Sequence, residues 1–466
     1  MSTRKVKRRR ISAPSGQFDL VVVGSGGGND ETNLSGYLCK PRDQPWDAGI
    51  LGLEAGSGYG ALKRLLSTSH PHLFSSLDPK SKSSSKLSPT DRAYAVYAHL
   101  KAYLLTHAHL DHAASLVISA GSLPGPTKHI LGAQGVLDDL YRCIFSPGRC
   151  WPSIVSWEGG HGGKLRALPV NDEYSDLGVG IDSIRARVVP VSHGGSCAND
   201  QDGIYRSSAF FVRHVPTQHE FLFFGDVEAD PDLDVSAPSS PPHSTPTLTP
   251  ASTLDSLPVD PPPNGLPTEG PNDLPATGPN SCPNGSHPTR PLLFPIWQDT
   301  ARLFVSSNLH TILLECSWPA GRPAAQMFGH LGVEQVRKEM RVLAQQVVKL
   351  RQSQPVAVSI ARSRRAKSAS PPPPPTHTTR SLKRKATHLS LQPTVPSSPL
   401  TGALKGLRVL VIHCKEPSPG FDLAGAPTIA DYIVRQLNDG VPGTDLGPND
   451  LGVEYIAAHQ GDEFVL

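Results

Sequence analysis

Along the chain, short apolar runs recur, and each stops at a polar side chain or a glycine. The runs are Phe18-Asp-Leu-Val-Val-Val23, Ile50-Leu-Gly-Leu53, Tyr103-Leu-Leu105, Phe221-Leu-Phe-Phe224, Thr311-Ile-Leu-Leu314 and Leu407-Arg-Val-Leu-Val-Ile412. Runs of this length with β-branched and aromatic residues predict buried strands. Arg185 to Val191 alternates and predicts a further strand ending at Ser192-His193. Helical spacing is clear at 333, 336, 340, 343, 347 and 350, which predicts an amphipathic helix over Val333 to Leu350. Ala113 to Ile118, after the His/Asp loop that follows the strand at Tyr103, reads as the start of a helix. Strands mixed with helices, with polar residues at the strand ends, predict an α/β protein whose site lies on those ends.

Two stretches interrupt the pattern. Residues 231 to about 290 are rich in Pro, Ser, Thr and Asp, and residues about 354 to 401 contain Pro371 to Pro375 and a basic cluster from Arg362 to Lys385. They hold much of the chain's 47 Pro and bury too little apolar surface to offset the entropy of ordering. Both are expected to be disordered insertions in one domain spanning 17–466, after a disordered basic tail at 1–16. The tail, with Lys5 to Arg10, has no apolar segment behind it and is not read as a secretory signal. No apolar run is long enough to span a bilayer. Seven cysteines, an odd number without framework spacing, argue for a reducing compartment: the cytoplasm, with the nucleus as an extension if the basic runs are import signals. A net charge of +3 does not single out a nucleic-acid partner.

The densest chemistry is His107-Ala-His109-Leu-Asp111-His112, four imidazole or carboxylate groups in six residues at a strand end. Such groups are ligands for a divalent ion of the zinc type, and the spacing lets His107 and His109 turn to one metal while Asp111 and His112 face another. His193, Asp226 and His413 stand at later strand ends. Each alone reads as a structural hydrogen-bonding residue; the ordered set predicts a two-metal centre. Gly24-Ser-Gly26 after a strand is not a dinucleotide fingerprint, because Asn29 occupies the third glycine position and no ribose-binding acid follows. A tight turn beside the metal site accounts for these glycines. His161, between Gly159-Gly160 and Gly162-Gly163, reads as an ordinary exposed loop; Cys197, Cys316 and Cys414 read as buried fillers.

The order His-x-His-x-Asp-His, His, Asp, His resembles the metallo-β-lactamase superfamily. Within it, His107 to Ala120 closely resembles the signature of class II cyclic-nucleotide phosphodiesterases, the fungal low-affinity type. Leu53 to Ser57, Gly225-Asp226, Glu315 to Ser317, Gly329 to Leu331 and Ile412 to Lys415 resemble that family too, while Ala113 replaces its usual larger aliphatic residue. The resemblance implies an αββα sandwich with the two insertions and two divalent ions, zinc by preference. It implies His107, His109 and His193 on one ion, Asp111, His112 and His413 on the other, and Asp226 bridging. The implied activity is hydrolysis of 3′,5′-cyclic nucleotides, cAMP and conceivably cGMP, to 5′-monophosphates by a metal-activated hydroxide, which ends cAMP signalling. His330, oriented by Glu315, is the candidate general acid, with Asp111 also placed in the catalytic set; a helix-capping loop is the plain reading of Gly329-His330. Competing readings are a tRNA 3′-processing endonuclease of the same fold and a non-catalytic scaffold. Cys414-Lys-Glu-Pro417 after the last histidine favours the phosphodiesterase over the former, and the complete ligand set opposes the latter. Ser368 and Thr387, after basic residues, are candidate targets of a basophilic, cAMP-dependent kinase, the plain alternative being a solvated charge run.

Overall fold

The computed structural model describes residues 16–79, 85–195, 204–231, 291–353 and 398–466. The basic tail, nearly all of both expected insertions, Cys197, Ser368 and Thr387 lie outside the described residues.

Seven strands come from the first part of the chain: β1 (Phe18–Gly24), β2 (Gly36–Pro41), β3 (Ile50–Leu53), β4 (Leu100–Leu104), β5 (His129–Gly132), β6 (Val155–Ser156) and β7 (Gly163–Ala167). A second sheet follows, built from β8 (Ser175–Asp176), β9 (Ile184–Gly195), β10 (Ile204–His214), β11 (Glu220–Phe224), β12 (Leu309–Glu315), β13 (Arg408–Ile412) and β14 (Glu454–Ala457). The last strand, β15 (Glu463–Val465), returns to pair with β1, giving orders β15-β1-β2-β3-β4-β5-β7-β6 and β14-β13-β12-β11-β10-β9-β8. In each sheet one part is antiparallel, while β3-β4-β5 in the first and β11-β12-β13-β14 in the second are parallel.

The strand period of two sorts side chains between layers. Phe18, Leu20 and Val22 of β1 meet Phe221, Phe223, Leu313 and Leu410 between the sheets. Val21 and Val23 face the other way, with α1 (Tyr59–Ser67), α2 (Pro89–His99), α3 (Leu110–Ser119) and α4 (Gln134–Leu140) on that side. Leu222, Phe224, Ile312 and Val409 pack on the opposite outer layer of α5 (Leu293–Val305), α6 (Val333–Ser353) and α7 (Ile429–Asp439). The result is the expected αββα sandwich. Strands β1, β11, β12 and β13 are buried on both faces, which is why they read as continuous apolar runs.

Several expectations are corrected. Helix α3 starts at Leu110, so Asp111 and His112 stand in its first turn and not in a loop; an acid in a first turn complements the helix dipole. Strand β9 continues through His193 to Gly195, because the long strand β10 pairs with it as far as Gly195. Strand β10 escaped sequence reading because Arg206-Ser-Ser208 breaks its apolar run. Near the expected end of the second interruption, about 401, residues 398–406 form turns that bury Ala403 and Leu404 against the helical layer.

One polar clamp closes the long connection before α5. The Asp230 carboxylate accepts hydrogen bonds from Leu292 N (2.7 Å), Leu293 N (2.9 Å) and Phe294 N (2.8 Å), capping the helix 62 residues further on. Behind it the Asp230 amide donates to Glu339 Oε1 (3.2 Å) and Trp297 Nε1 donates to Glu339 Oε2 (2.6 Å).

Candidate metal centre

Chain ends of neighbouring strands converge at one rim of the sandwich. β4 ends at Leu104, and buried Leu105 and Thr106 carry the chain to His107; β11 leads through Gly225 to Asp226; β12 ends on Glu315; β13 leads directly to His413. Parallel strands deliver their ends to the same edge, so residues hundreds of positions apart meet.

Two groups form there. Ligand atoms of His107, His109, His193 and Asp226 lie within 4.8 Å of one another, and so do those of Asp111, His112, Asp226 and His413. Asp226 belongs to both, with one oxygen for each. Its Oδ2 lies 3.6 Å from His107 Nε2 and 3.5 Å from His193 Nε2, while its Oδ1 lies 3.2 Å from both His112 Nε2 and His413 Nε2. Asp111 Oδ2 is 3.2 Å from His413 Nε2.

The far nitrogens of most rings are already committed. His193 Nδ1 donates to the Gly329 carbonyl (2.8 Å), His112 Nδ1 lies 3.4 Å from Glu54 Oε1, His413 Nδ1 meets Ser317 Oγ (3.1 Å), and His107 Nδ1 meets Thr106 Oγ1 (3.0 Å). Outer partners of this kind fix tautomer and ring angle so that the other nitrogen faces inward. The inward atoms then crowd one another: His112 Nε2 is 3.1 Å from His413 Nε2, and His193 Nε2 is 3.3 Å from His109 Nδ1. His107 Nε2 and Asp226 Oδ1 are buried without a hydrogen-bond partner. Nitrogen lone pairs facing one another around a shared carboxylate are reconciled by a cation, so the residues fit divalent metal binding.

Electrostatics divide the two groups. Burial, reinforced by the neighbouring imidazoles, pushes His107 well below the ordinary histidine range and His109 down to about 4. In the other group burial is outweighed: the charges of Asp226 and Glu54 hold His112 well above its ordinary value, and the His413 hydrogen bond with the His112 charge keeps Asp111 well below its own. The first group thus favours neutral imidazoles; in the second, burial lowers His413 as well, while His112 is raised and Asp111 is kept charged.

His330 stands beside both. Its Nδ1 is 3.2 Å from each Glu315 oxygen and 3.7 Å from Asp226 Oδ2. Glu315 also accepts from Val227 N (2.6 Å) and Ser317 Oγ (2.5 Å). Burial and then the Asp226 charge push Glu315 up to about 7, and burial pushes His330 down to about 4.

All nine predicted residues, His107, His109, Asp111, His112, His193, Asp226, Glu315, His330 and His413, come together at this rim. Sequence reasoning assigned no role to Glu54, although it too ends a strand; it is buried, accepts a hydrogen bond from Thr106, lies in ion-pair contact with His112, and has a left-handed φ of 57°. His413 has the same φ of 57°. Tyr205 was also missed, because its strand was; its ring stacks on His109 with centroids 4.6 Å apart. The turn at Gly24 to Gly28 does serve the site, since a side chain at Gly27 would come within 2.4 Å of the His413 ring. His161 lies in an exposed loop, and Cys316 and Cys414 are buried with thiols pushed up by burial.

A four-layer sandwich with a His/Asp cluster at its strand ends suits hydrolysis assisted by divalent metal ions. The family is more specific: the model of the class-II cAMP phosphodiesterases matches residues 21–239 and 284–385, and the chain belongs to that family. It is therefore an enzyme of 3′,5′-cyclic-nucleotide hydrolysis rather than a tRNA-processing nuclease or a scaffold. It is 29% identical over 454 residues to a probable 3′,5′-cyclic-nucleotide phosphodiesterase of Yersinia pestis, covering 97% of this chain and 90% of that protein. It is 30% identical over 230 residues to the 3′,5′-cyclic-nucleotide phosphodiesterase of Schizosaccharomyces pombe, covering 47% of this chain and 60% of the relative. The fold is similar to that of unliganded yeast PDE1, with a TM-score of 0.60 at 18% identity over 97% of this chain and 100% of the other. Among the described residues no helix is long and apolar enough to cross a membrane.

Proposed function

We infer that the chain opens the phosphodiester ring of 3′,5′-cyclic nucleotides to give 5′-monophosphates, using two divalent cations, zinc by preference. The observation that carries this reading is Asp226, whose two oxygens address two separate histidine groups. His107, His109 and His193 would hold one cation, Asp111, His112 and His413 the other, and Asp226 would bridge. Imidazole with a minority of carboxylate is a donor set that zinc prefers. When bound, the pair supplies positive charge to the phosphoryl oxygens and lowers the pKa of water toward neutrality.

The remaining chemistry belongs to the protein. Displacement at phosphorus expels the ribose 3′ oxygen, which must leave with a proton. His330 is placed to give it: Nδ1 is engaged by Glu315, so Nε2 is the atom that remains for the substrate. Glu315, pushed up to about 7, holds the proton that resupplies the pair. The free cysteines among the described residues suit a reducing compartment, for which the cytoplasm is the natural candidate.

The test is direct. Protein stripped by a chelator and then titrated with zinc is offered cAMP and cGMP, with 5′-monophosphate release and bound metal per chain measured together. Activity restored in step with two zinc ions per chain is expected. Release that survives complete metal removal would overturn the reading.

A further inference from the structure

The turn that carries His330 to the site is built on a conformation its own sequence disfavours. His330 N donates to the Met327 carbonyl (3.2 Å), closing a four-residue turn whose central residues, Phe328 and Gly329, have φ of 53° and 76°. Two left-handed residues in succession favour Asn-Gly, Asp-Gly or Gly-Gly; a bulky aromatic at the first place is strained. The glycine is required, because a side chain at 329 would come within 2.5 Å of the His193 carbonyl. The aromatic is not required by the turn, and its ring is 68% exposed, so it gains little from packing.

Among the described residues the one ring contact of Phe328 is the distant Arg322 guanidinium, so the strain is offset little there and points to compensation from a bound molecule. The turn is rigidly joined to the centre: Gly329 O accepts from His193 Nδ1 (2.8 Å), and Trp318 Nε1 donates to the Met327 carbonyl (3.2 Å). The Arg322 guanidinium lies 3.5 Å from the Trp318 ring centre and 5.9 Å from that of Phe328. Next to His109 in the chain a second large apolar residue, Leu110, is also exposed, at 59%. In a cyclic nucleotide the base is one ribose away from the phosphodiester. A purine has two apolar faces that stack on aromatic rings.

We propose that Phe328 is the platform on which the nucleobase stacks, held out from the fold for that purpose by the left-handed turn. This rests on the cyclic phosphodiester being seated between the two histidine groups.

The zinc-loaded full chain and its Phe328→Ala, Phe328→Asn and Phe328→Trp variants are compared on cAMP and on a base-free analogue, methyl riboside 3′,5′-cyclic phosphate. Asn suits the turn, so Phe328→Asn is expected to raise Tm while raising KM for cAMP. Loss of one base–aromatic stack raises that KM about tenfold in the Ala and Asn variants, with kcat changed less than about threefold. Tryptophan restores the KM. The base-free analogue, which has nothing to stack, shows no such KM rise. An unchanged KM for cAMP in Phe328→Ala overturns the platform, and so does a KM that rises equally for both substrates, which marks a structural role. Wild-type protein that turns over neither substrate removes the phosphodiester seat, and the platform with it.

Discussion

Two buried polar clusters sit in this molecule, and they are built on opposite rules. At the Asp230–Trp297–Glu339 clamp every donor meets an acceptor: three helix amides on Asp230, an indole and an amide on Glu339. At the strand-end rim, nitrogens face nitrogens at 3.1 and 3.3 Å, and buried atoms of His107 and Asp226 have only ion-pair contacts and no hydrogen bond among the described residues. The clamp satisfies its groups within the chain and holds a helix in place. The rim leaves its groups unsatisfied, which costs stability unless something else is bound. Matched and mismatched hydrogen bonding separate the structural cluster from the chemical one better than burial or charge, which the two share.

If that contrast is right, the two clusters respond to mutation in different currencies. The largest effect is expected from His109→Ala. Loss of this proposed ligand of the first group is expected to remove several kcal/mol of transition-state stabilisation, about a thousandfold or more in kcat/KM. His109 is exposed and makes no core packing, so the melting temperature of the metal-free protein should stay within a few degrees of wild type. Retained turnover would mean that the first group is not where the chemistry happens.

Trp297→Phe is the complementary test at the clamp. It removes the indole donor and leaves Glu339 Oε2 unpaired in the core, which costs about 1–3 kcal/mol of stability. Chemical denaturation should report that loss, while kcat/KM of the metal-loaded protein stays within about twofold. A fall in turnover without a fall in stability would place the clamp in the catalytic machinery and erase the distinction.

The two clusters also differed in how visible they were beforehand. The rim could be read because metal chemistry restricts residue types: His107, His109, Asp111 and His112 are packed into six positions, and each partner ends an apolar run. The strands leading to it, buried on both faces, are equally plain. Glu54 was passed over because a single acid after a strand has many explanations; only the fold brings it 3.4 Å from His112 Nδ1. Tyr205 was lost with strand β10, whose serines and arginine hide its period. The clamp carried no local signal at all. Asp230 sits at the edge of a Pro- and Ser-rich stretch, and its role depends on a helix starting 62 residues later.

The smallest expected effect is a pH dependence confined to the clamp. Burial pushes the Glu339 carboxyl up to about 7, against roughly 4.3 for an unperturbed glutamate. Between those values the unfolded chain releases a proton that the folded chain retains. Stability from this group is therefore fully present below the lower value and declines as pH rises through the window. At the rim His109 and His330, lowered by burial, change stability in the opposite direction, and Glu315, raised to about 7, in the same one, so the wild-type profile alone mixes them. Glu339→Gln isolates the clamp, because glutamine does not titrate. It loses one acceptor, so it should be less stable than wild type near pH 5. Its deficit should shrink as pH rises toward 8, where the wild type carries a buried charge. Denaturation curves of both proteins at the two pH values measure that difference. A deficit that stays constant would show that Glu339 is already ionised throughout, and that the indole and amide donors outweigh its burial.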